Sequence, residues 1–137
     1  MINRIAILMD RSGSMTQIRE QARKAYNDIL DTIKAQAALT GQETYVTGYA
    51  FSDLVSTISP IQRAGRVEKM HSNYPAGNTA LLDAVGVAME DLGVYANDPS
   101  TSLLVIAITD GQENRSRRYT PEQIRYKIAL YQGRGNW

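Results

Sequence analysis

Asp10-Arg11-Ser12-Gly13-Ser14 puts one carboxylate and two hydroxyls within five residues. Thr79 offers a third hydroxyl and Asp110 a second carboxylate. All of these are hard oxygen donors, the ligand type that Mg²⁺, Mn²⁺ and Ca²⁺ prefer. Softer metals find little to bind, because the chain has no cysteine and its single histidine is His71. Two carboxylates nearly neutralise a dication. If the hydroxyls take direct positions and the carboxylates act through water, the ion stays electron-poor. An open coordination position would then attract an acidic group from outside the chain.

The elements around these residues are readable from their patterns. Ile2 to Met9, whose residues Ile5 to Met9 are an apolar run, reads as a buried strand, and Asp10 follows it directly. Ser14-Met15-Thr16-Gln17 has the form of a capping box. Ile18, Ala22, Ala25, Ile29, Ile33 and Ala37 follow at helical spacing, with Tyr26 and Leu30 widening the stripe. That helix is expected to end near Thr40-Gly41, where glycine suits the cap. Thr44 to Phe51 reads as a second strand, Ser52-Asp53 as a tight turn, and Leu54 to Ser59 as the returning arm of a hairpin. Residues 60–78 are mixed: Val67 to Met70 could form a short helix, and Tyr74 to Asn78 is loop chemistry. Thr79 opens another helix, with Leu82, Val85, Ala88, Met89 and Leu92 on one face. After the loop Asn97 to Ser100, Leu103 to Ile108 is a continuous apolar run, expected of a parallel strand covered on both faces. Asp110 follows that strand as Asp10 follows the first. Thr120-Pro121-Glu122-Gln123 then starts a last helix that carries Ile124, Ile128 and Tyr131.

Strands alternating with helices predict an α/β fold: a Rossmann-like, mostly parallel sheet with one antiparallel hairpin strand and helices on both faces. Ligands in such sheets bind beyond the carboxyl ends of the strands, where strand order reverses. Asp10 and Asp110 both sit at such ends.

The run from Asp10 to Met15, of the form D-x-S-x-S, resembles the signature of von Willebrand factor A domains, where it opens the metal-ion-dependent adhesion site. The family's isolated threonine matches Thr79 within Gly77-Asn78-Thr79-Ala80-Leu81-Leu82-Asp83-Ala84, and its later aspartate matches Asp110 within Ile108-Thr109-Asp110-Gly111. The resemblance implies Ser12, Ser14 and Thr79 as direct ligands, with Asp10 and Asp110 acting through water or switching with ligand state. It implies a protein-binding module rather than an enzyme, with Mg²⁺ (or Mn²⁺ or Ca²⁺) holding an acidic side chain of a partner protein. The wording around these positions looks most like small stand-alone members from bacteria and their phages. The likeness covers nearly all of residues 1–137, but the family fold normally continues into another strand and helix, and usually one more strand. Gly135-Asn136-Trp137 would be the threshold of that strand, so the chain reads as either a truncated fragment or a minimal member. The Leu103 to Ile108 strand is then expected to have an unpaired edge through which the chain self-associates or takes a partner strand.

The plainer readings set limits. Ser14 and Thr79 could serve only as helix caps, and Asp110-Gly111 only as a turn. A Ser–His–Asp hydrolase would have to use His71, and no G-x-S-x-G elbow is present. A phosphohydrolase of the haloacid dehalogenase type also has an aspartate after its first strand. It wants a second acid two residues later, where this chain has Ser12. A third reading is a scaffold whose site is vestigial. Arg115, Arg117 and Arg118 read as a solvated cluster, or as a rim that steers an acidic partner. Tyr45, Tyr49, Tyr74, Tyr126 and Tyr131 read as packing residues rather than a base-stacking platform.

The bulk numbers agree with one domain. The chain has 137 residues, 43% hydrophobic and 21% charged, enough for a single core. A net charge of +1 exerts no general pull on nucleic acid or anionic lipid. No run reaches the roughly 20 apolar residues of a membrane span, and no secretory pattern is visible, so a cytoplasmic location is expected.

Overall fold

Ile2–Asp10 forms strand β1, and its apolar run is buried because other strands flank it on both edges and helices cover both faces. The computed structural model describes residues 2–11, 15, 19–51, 55–70, 81–95 and 97–109. The other elements are helix α1 (Arg19–Thr40), strands β2 (Thr44–Phe51) and β3 (Val55–Arg63), helix α2 (Leu81–Gly93) and strand β4 (Thr101–Ile108). They make a four-stranded sheet in the order β3-β2-β1-β4. β1 is parallel to both β2 and β4, and β3 is antiparallel to β2. This is the expected mostly parallel α/β sheet with one hairpin strand.

Side chains alternate across β1, so each half of its apolar set serves a different helix. Ile7 and Met9 join Val46, Met15, Ala22, Tyr26 and Leu30 under α1. Ala6 and Leu8 join Tyr49, Phe51 and Leu103 under Ala84, Ala88 and Leu92 of α2. In α1 the four-residue spacing of Ala22, Tyr26 and Leu30 carries the buried stripe, and burying Leu30 fully contributes about 1.5–3 kcal/mol. The helix stops where expected. Gly41 takes the left-handed φ of +68°, and its N–H donates to the Ala37 carbonyl at 3.0 Å.

Three expectations need correction. β3 runs past Ser59 to Arg63, because its pairing with β2 resumes at Val46↔Gln62 and Tyr45↔Arg63 beyond a register shift that contains Pro60. Proline is tolerated there because β3 is an outer strand and the shift interrupts the ladder. No helix forms over Val67 to Met70. A single 3-10 turn spans Ala64–Arg66 instead, and Val67 is extended and buried. The side chain of Asn27 satisfies both backbone groups of Met70, accepting from its N–H at 2.7 Å and donating to its carbonyl at 3.0 Å, so helical bonds are not needed. Finally, the described residues do not cover all of β4: Leu104 is 49% exposed. Among the described residues β4 pairs only with β1. No described helix is long and apolar enough to cross a membrane. The last predicted helix, at Thr120 to Tyr131, lies outside the described residues.

Candidate metal centre

Both helices aim their first residues at the carboxyl end of the sheet. α1 ends just before β2 begins, at the end of the sheet where Thr44 pairs with Asn3. α2 ends beside Arg4, whose guanidinium lies 3.6 Å from the centre of the Tyr95 ring. The turns after Tyr95 then lead into Thr101, which pairs with Ile2. At 1.5 Å per residue, the 13 residues of α2 span about 20 Å, roughly the distance along β1 from Arg4 to Asp10. Leu81 therefore begins α2 near the level of Asp10.

Strand order reverses between β1 and β4. The chain moves from β1 to β2 and β3 on one side, then crosses under α2 to β4 on the other. The two crossover helices lie on opposite faces of the sheet. The crevice of a doubly wound sheet is expected at this point. Here the β1–β4 ladder ends at Met9↔Ile108, whereas β1 stays with β2 through Asp10↔Phe51 and an Arg11 N–H to Phe51 carbonyl bond of 2.8 Å.

Asp10 stands just past that last rung and is only 3% exposed. Its Oδ2 accepts a hydrogen bond of 2.7 Å from the Thr109 hydroxyl. By the β1–β4 register, Thr109 is the residue that would face Asp10 on the next rung, so a side-chain bond takes over where the backbone ladder stops. A buried carboxylate is costly unless hydrogen-bonded or paired. A buried carboxylate that accepts a hydroxyl hydrogen bond at the carboxyl end of the sheet offers the hard oxygen chemistry that suits a divalent cation.

Of the residues predicted to form the site, only Asp10 is among those described. Ser12, Ser14, Thr79 and Asp110 lie outside them, as do His71, Arg115, Arg117 and Arg118. Their neighbours in sequence are informative: Ser12 follows Arg11, Thr79 precedes the start of α2 by two residues, and Asp110 follows Thr109. Among the described residues no group of three or more His, Cys, Asp or Glu side chains gathers as a metal cluster. The expected site has only two carboxylates, so such a cluster was not required. The Thr109 hydrogen bond to Asp10 was not foreseen from the sequence. Its signal was the place of Thr109 in Ile108-Thr109-Asp110, opposite Asp10 once the strand register is known. Tyr49 is buried and Tyr45 half-buried, as expected of packing residues. The Tyr49 hydroxyl donates to Asp91 of α2, and burial, then that bond, push its pKa above the ordinary tyrosine value.

No protein-family model matches the sequence, and no curated protein matches it. The fold has clear relatives among solved structures. A von Willebrand factor type A protein from Catenulispora acidiphila superposes with a TM-score of 0.65 at 20% identity, over 93% of this chain and 30% of that one. Proximal thread matrix protein 1 from the mussel byssus gives 0.61 at 19% identity, over 98% and 34%. The chain thus spans about a third of the length of each. What is shared at these identities is the fold, and it is the one that the D-x-S-x-S resemblance implied.

Proposed function

We propose that this chain is a divalent-metal-dependent protein-binding module rather than an enzyme. Asp10, Ser12, Ser14, Thr79 and Asp110 hold the ion, Mg²⁺ or else Mn²⁺ or Ca²⁺. The observation that carries the reading is the buried carboxylate of Asp10, hydrogen-bonded to Thr109 where the β1–β4 ladder ends. The fold shared with a von Willebrand factor type A protein supports it. So does the run of hydroxyl and carboxylate residues that follows β1. When bound, the ion supplies a Lewis-acidic position that a carboxylate oxygen can occupy.

The chain's own residues divide the work. Ser12, Ser14 and Thr79 contribute neutral oxygens directly. Asp10 and Asp110 supply the charge that retains the ion, acting through water. Neutral direct ligands leave the ion able to hold an acidic side chain of a partner protein. The proposed setting is that of the small stand-alone bacterial or phage modules, in the cytoplasm. To test this, the chain is immobilised and exposed to host extract with Mg²⁺ or with chelator. A partner retained with Mg²⁺, released by chelator and lost with Asp10→Ala is expected. Retention that ignores both chelator and substitution contradicts the reading.

The proposal includes self-association at the outer edge of β4. The sequence of β4, TSLLVIAI, has no proline and no charge, whereas the opposite outer strand β3 carries Pro60, Arg63 and two register shifts. Those features blunt an edge, and β4 has none of them. Light scattering at high concentration is expected to give a dimer, and a monodisperse monomer contradicts it.

A further inference from the structure

We infer that Thr109 is a positioning residue for the metal site, acting through Asp10. The inference rests on the proposed reading of Asp10 as part of that site. Three observations combine. The backbone ladder between β1 and β4 ends at Met9↔Ile108, so the backbone no longer fixes the two strands against each other at the level of Asp10. The Thr109 hydroxyl bridges that gap, donating to Asp10 Oδ2 at 2.7 Å. Asp10 is almost wholly buried, so its carboxylate has few ways to turn without losing this donor.

A hydroxyl suits the task. It is neutral, so it orients the carboxylate without cancelling the charge that attracts a cation. It also donates a single proton, which fixes one carboxylate oxygen and thereby the direction of the group. Threonine adds χ1 stiffness that serine lacks. Hydrogen-bond partners of metal ligands typically change affinity about 10–100-fold when removed.

The test measures Mg²⁺ affinity by calorimetry, and metal-free thermal stability, for wild type, Thr109→Val, Thr109→Ser and Asp10→Ala. Thr109→Val keeps the shape and removes the hydroxyl; Thr109→Ala reports the same loss if the crevice rejects valine. The expected result is about 10–100-fold weaker Mg²⁺ binding for the variants lacking the hydroxyl. Thr109→Ser should bind within a few-fold of wild type. A purely structural role predicts a lower metal-free melting temperature with unchanged affinity, and that result overturns the inference. If wild type binds Mg²⁺ and Asp10→Ala does not, while Thr109→Val binds like wild type, Thr109 alone is excluded and the site stands. If wild type binds no Mg²⁺, or Asp10→Ala binds equally well, the site reading fails and the role of Thr109 falls with it.

Discussion

Arg4 and Asp10 lie on the same strand and, six residues apart, on the same face, yet the two ends of β1 treat their charges differently. At the amino end Arg4 is stacked between aromatic rings, 3.6 Å from the centroid of Tyr95 and 4.8 Å from that of Tyr45. Nearby, Asp98 accepts from the Ser100 N–H at 2.9 Å, the Ser100 hydroxyl at 2.6 Å and the Thr101 hydroxyl at 3.0 Å, closing the turn into β4. At the carboxyl end Asp10 accepts the hydroxyl of Thr109 just past the last rung of the β1–β4 ladder. The amino end is a lock built from the sheet and its turns. The carboxyl end is where the β1–β4 ladder stops and a buried carboxylate is held by a side-chain hydroxyl instead. Substitutions at the first should therefore change stability, and substitutions at the second should change the response to metal.

The largest separation is expected in metal-induced stabilisation. At a Mg²⁺ concentration 100 times the dissociation constant, a ligand specific to the folded state adds about 2.7 kcal/mol. Chemical denaturation should show that increment in wild type and in Arg4→Ala, and show none in Asp10→Ala. Loss of the increment in Arg4→Ala would mean that the two ends are not independent.

Next in size is the lock itself. Arg4→Ala should lower metal-free stability by about 1–2 kcal/mol, the range for a cation–π contact that is partly desolvated. Tyr95→Leu should cost a similar amount, and the double variant should cost less than the sum, since the two groups share one interaction. Full additivity would break the stacking argument.

Smaller effects follow pH. Burial first, and the hydrogen bond to Asp91 second, raise the pKa of Tyr49. Its stabilising effect is complete below the unfolded value of about 10 and is lost as pH rises beyond it. Tyr49→Phe should therefore flatten the loss of stability above about pH 10. Smallest is the acid arm. The Ser100 side-chain and backbone donors, then Thr101, lower the pKa of Asp98. Its contribution is present above the unfolded carboxylate value of about 4 and disappears as pH falls through the depressed folded value. Asp98→Asn should reduce that acid dependence slightly in urea titrations followed by circular dichroism.

The same contrast explains what the sequence made legible. β1, α1, β2 and the stop at Gly41 were readable because each is encoded locally, by an apolar run, a four-residue stripe or a left-handed glycine. The place of Asp10 at the end of an apolar strand was readable because that too is local. Thr109 was not, since its meaning depends on the register between β1 and β4, residues 99 apart in the chain. The extension of β3 past Pro60 and the non-helical course of Val67 to Met70 were missed for the same reason. The first depends on a partner strand that tolerates a register shift, the second on Asn27 of a distant helix. The exposure of Leu104 shows the converse limit: an apolar run announces a buried strand, but neighbouring elements decide which faces are covered.

The central claim is that Asp10 belongs to a divalent-metal site. Direct Mn²⁺ binding, followed by electron paramagnetic resonance as free ion disappears, tests it without reference to stability or partner. The account predicts one site per chain in the wild type, displaced by Mg²⁺, and no detectable site in Asp10→Ala. Equal Mn²⁺ uptake by both proteins, or none by either, would contradict it.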